Sequence, residues 1–315
     1  MIERNRWTGR AIRGGGRVEQ GDVVEIPTRT LVESMVREDS TIDAGELYSV
    51  ANALGMSDQQ VRLCIKRLVT EGQFVQDGRG RKAVLRASDG MRGGIEPELE
   101  YIRYMFAQDR GAAPWDGVWH VVAFAVPETA RAARDAMRDS IVQLGGAAIQ
   151  GGLYVSANDW SARLAATARE LGVAQHISTM TSTDLRLGGI ESAPELAARL
   201  WPLERLEAGH QRLYEVAEYR LRALRDRTLS PTELLTIEIE LAAEFTRAMD
   251  PDPLLPPELL PQPWIGQRAR AAVADCWAEL AKRETPGSTR LFRVYSAAVR
   301  EAIGERPTTR GSRGH

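Results

Sequence analysis

Apolar residues recur at helical spacing three times between Pro27 and Gly72, and the spacing predicts three successive helices. "PTRTLVESMV" sets Leu31, Val32, Met35 and Val36 on one face, with Thr28 as its cap behind a proline. "DAGELYSVANALG" sets Leu47, Val50, Ala51 and Leu54 on one stripe; Asp43 is the expected N-cap, Glu46 its capping-box partner and Gly55 the stop. Only Gly55 and Met56 separate it from "SDQQVRLCIKRLVTEG". There Ser57 caps, Val61, Ile65 and Leu68 form the buried stripe with Cys64 and Val69 beside them, and Gly72 stops the helix. The period then changes to two. "QFVQ" and "KAVLRA" alternate on either side of "DGRGR", which predicts a β-hairpin with a tight Gly turn. Three helices followed by a hairpin predict a winged helix-turn-helix over residues 26–90, with the third helix in the DNA major groove and the hairpin toward the flanking backbone.

A Gly-rich break follows, then a helical segment within a linker (91–114). "VWHVVAFAVP" reads as a strand, "ETARAARDAMRDSIVQLGG" as a helix, "AAIQGGLYVS" as one or two short strands, "DWSARLAATARELG" as a helix and "AQHISTMTS" as a strand. That order, β-α-β-β-α-β, predicts a ferredoxin-like unit over 115–190, with two helices on one face of an antiparallel sheet. The other face needs a cover. A second copy of the chain or a neighbouring domain is the expected cover; a homodimer is the natural inference, and this unit is read as its dimerisation domain. From Pro194 onward the pattern is helical, and 191–304 is read as an all-α domain with a proline-rich elbow. Residues 305–315 form a polar tail. Residues 1–25 form an Arg/Gly-rich arm, either mobile or ordering on DNA. The fold class is α+β.

Composition changes this picture little. The chain has 315 residues, 43% hydrophobic and 27% charged, with a net charge of -2, so no overall basicity points to a polyanion. Locally it is otherwise: from Met56 to Ala87 seven basic residues stand against three acidic ones, a net +4. The two cysteines, Cys64 and Cys276, lie far apart in apolar helical patterns, which fits a reduced cytoplasmic protein. No apolar run approaches the roughly 20 residues that span a bilayer, so no membrane partner is expected.

On the third helix, Ser57, Gln59, Gln60, Arg62, Lys66 and Arg67 are the candidate DNA contacts. Arg62 suits guanine and Gln59 or Gln60 adenine, while Lys66 and Arg67 suit phosphates. At the hairpin tip Gly78 and Gly80 supply positive φ, and Arg79, Arg81 and Lys82 can reach the backbone or a narrow minor groove. Nothing resembles a phosphate loop, a zinc spacing or a nucleophile elbow, and the four histidines are dispersed. No catalytic residue, metal or cofactor is expected. A metal-dependent nuclease of the ferredoxin-like type needs an acid at the end of the first strand, whereas Asp116 precedes it.

Three segments resemble the PaaX family of transcriptional repressors of phenylacetate catabolism: "MSDQQVRLCIKRLVTEGQFVQDGRGRKAVL", "WDGVWHVVAFAVPE" and "FTRAMDPDPLLPPELLPQPWIGQRA". The resemblance covers residues 27–304 and implies a winged domain, a ferredoxin-like domain and a helical C-terminal domain. It implies a repressor of a catabolic operon released from its operator by a small effector, an aryl-coenzyme A thioester in the family though other members regulate other pathways. As a homodimer it is expected to bind an inverted-repeat double-stranded operator. On that view the helical domain senses the effector, with Arg247 and Trp264 as candidate pocket residues and Trp115 and Trp119 as further ones. The alternative for Trp264 is a core plug at an interhelical elbow, and for Trp115 and Trp119 packing between domains. An alternative for the whole chain is a ligand sensor whose winged domain docks a protein.

Overall fold

A computed structural model of the chain describes residues 26–88, 99–283 and 289–302. The arm (1–25), residues 91–98 of the linker and the tail (305–315) lie outside the described residues.

Helix α1 (Thr28–Ser34) starts directly after Pro27 with no side-chain cap, so Thr28 is its first residue rather than its cap. Strand β1 (Thr41–Asp43) leads into helix α2 (Ala44–Ala53). The Asp43 carboxylate accepts from the Glu46 amide at 2.8 Å. Glu46 does not complete the capping box, because Arg37 takes its carboxylate at 2.7 Å. Helix α3 (Asp58–Thr70) carries the complete box: Ser57 Oγ accepts from the Gln60 amide, and Gln60 Oε1 accepts from the Ser57 amide at 2.8 Å. Strands β2 (Phe74–Asp77) and β3 (Val84–Ala87) pair antiparallel, and β1 pairs with the other side of β3 to give the order β1-β3-β2. The connection is wider than the expected tight turn. Gly78 and Gly80 take positive φ, and a single 3₁₀ turn over Gly80–Lys82 closes the loop.

After helix α4 (Leu99–Asp109) come strand β4 (Trp119–Phe124), helix α5 (Arg131–Gln143), strands β5 (Ala147–Gln150) and β6 (Leu153–Ser156), helix α6 (Ser161–Glu170) and strand β7 (Ile177–Ser182). Every pairing is antiparallel, and the sheet order is β5-β6-β4-β7. The strand period of two splits β4 between two cores. Val122 packs with Met137, Ile141, Trp160 and Leu164 beneath α5 and α6. Trp119 and Val121 point to the opposite face.

Of the two expected covers, other segments of the same chain rather than a second copy lie on that opposite face. Helix α7 (Ala193–Leu200), Trp201 and the leucines of 255–260 lie on it, and Leu196, Leu255 and Leu259 join Trp119, Val121 and Val155 in one buried cluster. The chain covers its own sheet, so a second copy is not needed there. Pro202 then separates α7 from α8 (Leu203–Asp226). Helices α9 (Pro231–Met249), α10 (Ile265–Ala281) and α11 (Arg290–Ala302) complete the chain.

Helices α8 to α11 share one apolar cluster with residues 26–85, reaching Leu31, Leu47, Val61 and Phe74. Two contacts make the join. Helix α9 packs against α2. The start of α11 meets the turn after α1: the Arg290 amide donates to the Val36 carbonyl at 3.0 Å, and Arg293 pairs with Glu38 at 2.8 Å. Among the described residues no helix is long and apolar enough to cross a membrane.

Candidate nucleic-acid interface

Helix α3 buries Val61, Ile65 and Leu68 and turns its remaining faces to solvent. Gln59, Arg62, Lys66 and Arg67 are exposed. Among the described residues the side chains of Arg62, Lys66 and Arg67 make no hydrogen bond or ion pair, and those of Arg79 and Lys82 on the hairpin tip make none either. Five cations thus stand free on one helix and one hairpin of an acidic chain. Ser57 and Gln60 are exposed but occupied by each other: the Ser57 hydroxyl donates to Gln60 Oε1 at 2.9 Å. Gln60 therefore spends its acceptor on the helix start, and Gln59 is the amide left open.

Arg81 departs from the expected reach. Its guanidinium makes two hydrogen bonds to Asp58, at 3.1 and 3.2 Å, and lies 5.3 Å from the Tyr48 ring centroid. It ties the hairpin to the start of α3 and to α2. Arg86 is likewise held by Asp77 at 3.0 Å. At the other end of α3, Arg29 reaches Glu71 at 2.9 Å and Gln73 at 2.8 Å, which fastens α1 to the helix C-terminus. These intrachain clamps fix the helix and hairpin relative to each other and leave the free cations outside.

Sequence reasoning passed over Leu63. It is 60% exposed, outside the buried stripe, in the middle of the polar face. Its position was readable, since it falls two residues after Val61 where the helical period predicts solvent.

The four candidate effector residues are all engaged within the fold. Trp115 and Trp119 meet edge to face at 5.1 Å, and Trp119 stacks on Trp201 at 6.3 Å. Trp264 lies edge-on to His210 at 5.8 Å, and a Cβ at Gly266 would fall 2.4 Å from its Nε1, so the helix start admits only glycine there. Arg247 pairs with Glu244. The segment around Asp252 ties elements together. Asp252 accepts from His210 Nε2 at 2.7 Å and faces Arg270 at 3.7 Å, while Arg270 also grips Asp109. The Leu254 carbonyl accepts from Gln108 and Asn158.

The Asp116 carboxylate accepts from the Val118 amide at 2.9 Å, closing the turn that enters β4. Both cysteines are free, and burial pushes their thiols up, that of Cys276 to about 12. His120 Nδ1 lies 3.8 Å from Asp159.

Residues 112–196 match the family described as PaaX protein central Cas2-like domain, and residues 201–286 match that of the PaaX-like protein C-terminal domain. The chain is 24% identical over 255 residues to the transcriptional repressor PaaX of Escherichia coli (strain K12), which covers 79% of this chain and 77% of that one. Among solved structures it is similar to an uncharacterized protein from Mycobacterium tuberculosis, at 24% identity over 76% of this chain and 88% of that chain. The TM-score of 0.42 is too low to establish a shared fold.

Proposed function

The chain belongs to the PaaX family, and from that premise we propose that it is a sequence-specific DNA-binding transcriptional regulator rather than an enzyme. Residues 26–88 are a winged helix-turn-helix: α2 and α3 are its helix pair, and the β2–β3 hairpin is its wing. The order α1-β1-α2-α3-β2-β3 supports this reading. The order β5-β6-β4-β7 with both helices on one face likewise supports a ferredoxin-like central unit.

One observation carries the proposal. The solvent face of α3 presents Gln59, Arg62, Lys66 and Arg67 beside a hairpin carrying Arg79 and Lys82, and among the described residues no acid pairs with these cations. In a chain of net charge -2 such a patch suits a polyanion. Arg62 and Gln59 read base edges, while Lys66, Arg67, Arg79 and Lys82 hold phosphates. The regulator acts as a homodimer on an inverted repeat, as a repressor released by a small effector, an acyl-coenzyme A thioester. The effector binds the helical region and favours the state of lower DNA affinity.

The test is a fluorescence-anisotropy titration of the full chain against the duplex upstream of its own gene and a scrambled duplex of equal length, at several salt concentrations. Tighter binding to the upstream duplex, with affinity falling as salt rises, supports the proposal. Equal binding to both duplexes, or none at low salt, refutes it. Acyl-coenzyme A thioesters added to the bound complex test the release.

A further inference from the structure

The exposed Leu63 has no structural use within its own unit. It is 60% exposed, while the core beneath α3 is filled by Val61, Ile65 and Leu68. On a helix the nearest surface neighbours of a residue are those three and four positions away. For Leu63 these are Gln59 and Gln60 toward the helix start and Lys66 and Arg67 toward its end, all exposed. A branched apolar side chain therefore stands inside a ring of two amides and two cations.

Resting on the reading of α3 as the DNA-contacting helix, we propose that Leu63 selects thymine by packing against its C5-methyl group in the major groove. That methyl is the one apolar feature the bases present there. The charge around Leu63 favours a nucleic acid over an apolar protein groove: the amides suit base edges and the cations suit phosphates on either side of the same groove. Leu63 then supplies a determinant that hydrogen-bonding residues cannot, because it distinguishes thymine from cytosine by the methyl group rather than by donor and acceptor pattern.

Deoxyuridine separates this contact from every other, since it pairs like thymine and lacks only the methyl. The full chain selects its preferred duplex from a random pool, and each thymine of that duplex is then replaced in turn by deoxyuridine. At one or two thymines the replacement weakens the wild-type chain about fourfold, the effect of burying one such group. The Leu63→Ala chain binds more weakly and is indifferent to the same replacements. Leu63 is exposed, so the alanine variant keeps its fold, and a Leu63→Gln chain behaves alike. Identical deoxyuridine sensitivity in wild type and both variants, or none in any, overturns the proposal; an intact selection with an Arg62→Ala shift in base preference then leaves the DNA reading standing. Failure of any duplex to enrich overturns both.

Discussion

Glu238 sits on the side of α9 that packs toward α2, and its protonation links pH to the stability of that junction. It is partly buried, and among the described residues it has no hydrogen bond or ion pair. Burial, and then the neighbouring Glu46 carboxylate, push it up from the ordinary value of 4.5 to about 8. Arg37 cannot relieve it, because Arg37 is held by Glu46 itself. The unfolded chain gives up this proton as pH passes 4.5, whereas the folded chain keeps it until about pH 8. Its stabilising contribution is therefore complete below 4.5, declines as pH rises, and is gone above 8. At 1.36 kcal/mol per pH unit the full shift amounts to roughly 5 kcal/mol; the carboxyl's partial access to water reduces this to about 2 to 3 kcal/mol. Glu238→Gln keeps the shape and removes the charge. Denaturant unfolding of both chains at pH 5, 6, 7 and 8 isolates the effect, since other titrations cancel in the difference. The glutamine chain is expected to gain on the wild type by about 2 to 3 kcal/mol between pH 5 and 8. A difference that stays constant with pH refutes the reasoning.

Arg62→Ala is expected to cost about 1 to 3 kcal/mol of discrimination between the selected duplex and one altered at the contacted guanine, measured by competition anisotropy. Lys66→Ala is expected to weaken both duplexes alike and flatten the salt slope by about one; equal loss from both variants on all sequences contradicts the division of roles. Arg81→Ala removes an exposed ion pair and a ring contact, so thermal unfolding should report a loss of about 1 kcal/mol, and Asp58→Asn about half of it. A larger fall in DNA affinity than in stability would return Arg81 to the DNA surface. Gly145→Ala should destabilise by more than about 2 kcal/mol, because φ is +86° and the added Cβ would fall 2.7 Å from the Pro253 carbonyl; a neutral result would mean that the 253–260 segment is free to shift.

What the sequence revealed follows the range of the interaction involved. Helix α3 was legible because its stripe and its Ser57 cap are local, and the hairpin because its period and glycines are; the part of Gln60 in the box was not. Strand β1 was not, since three residues carry no alternation. The Asp43–Glu46 pair has the same spacing as Ser57–Gln60, yet its box stays incomplete because Arg37, folded back across the turn, takes the Glu46 carboxylate. Which segment covers the sheet was not legible for the same reason, since Trp201, Leu255 and Leu259 come from positions distant from Trp119. Residue type and the hairpin-tip position point Arg81 to DNA, whereas its partners Asp58 and Tyr48 become adjacent only once helix and wing are packed. Of the four candidate effector residues, Trp115, Trp119 and Trp264 have ring partners and Arg247 an ion pair, none of which residue type alone reveals.

Under the proposed function, these packing partners bear on how an effector signal would reach the proposed DNA-reading face. Helix α3 turns Gln59, Arg62 and Lys66 outward, while the opposite side of its unit is attached to the helical region through α2 on α9 and through the turn at Val36 on the start of α11. The apolar core runs continuously across both attachments, with the backbone hydrogen bond and the Arg293–Glu38 pair at the edge of the second. Close-packed cores do not deform smoothly; they exchange between discrete packings. A ligand that favours one position of α9 or α11 over another therefore repositions α2 and, with it, α3. The size of that response is bounded by the ligand's differential affinity for the two packings. Residues along the α2–α9 seam, Glu238 among them, should then alter effector response without altering the contacts made to DNA.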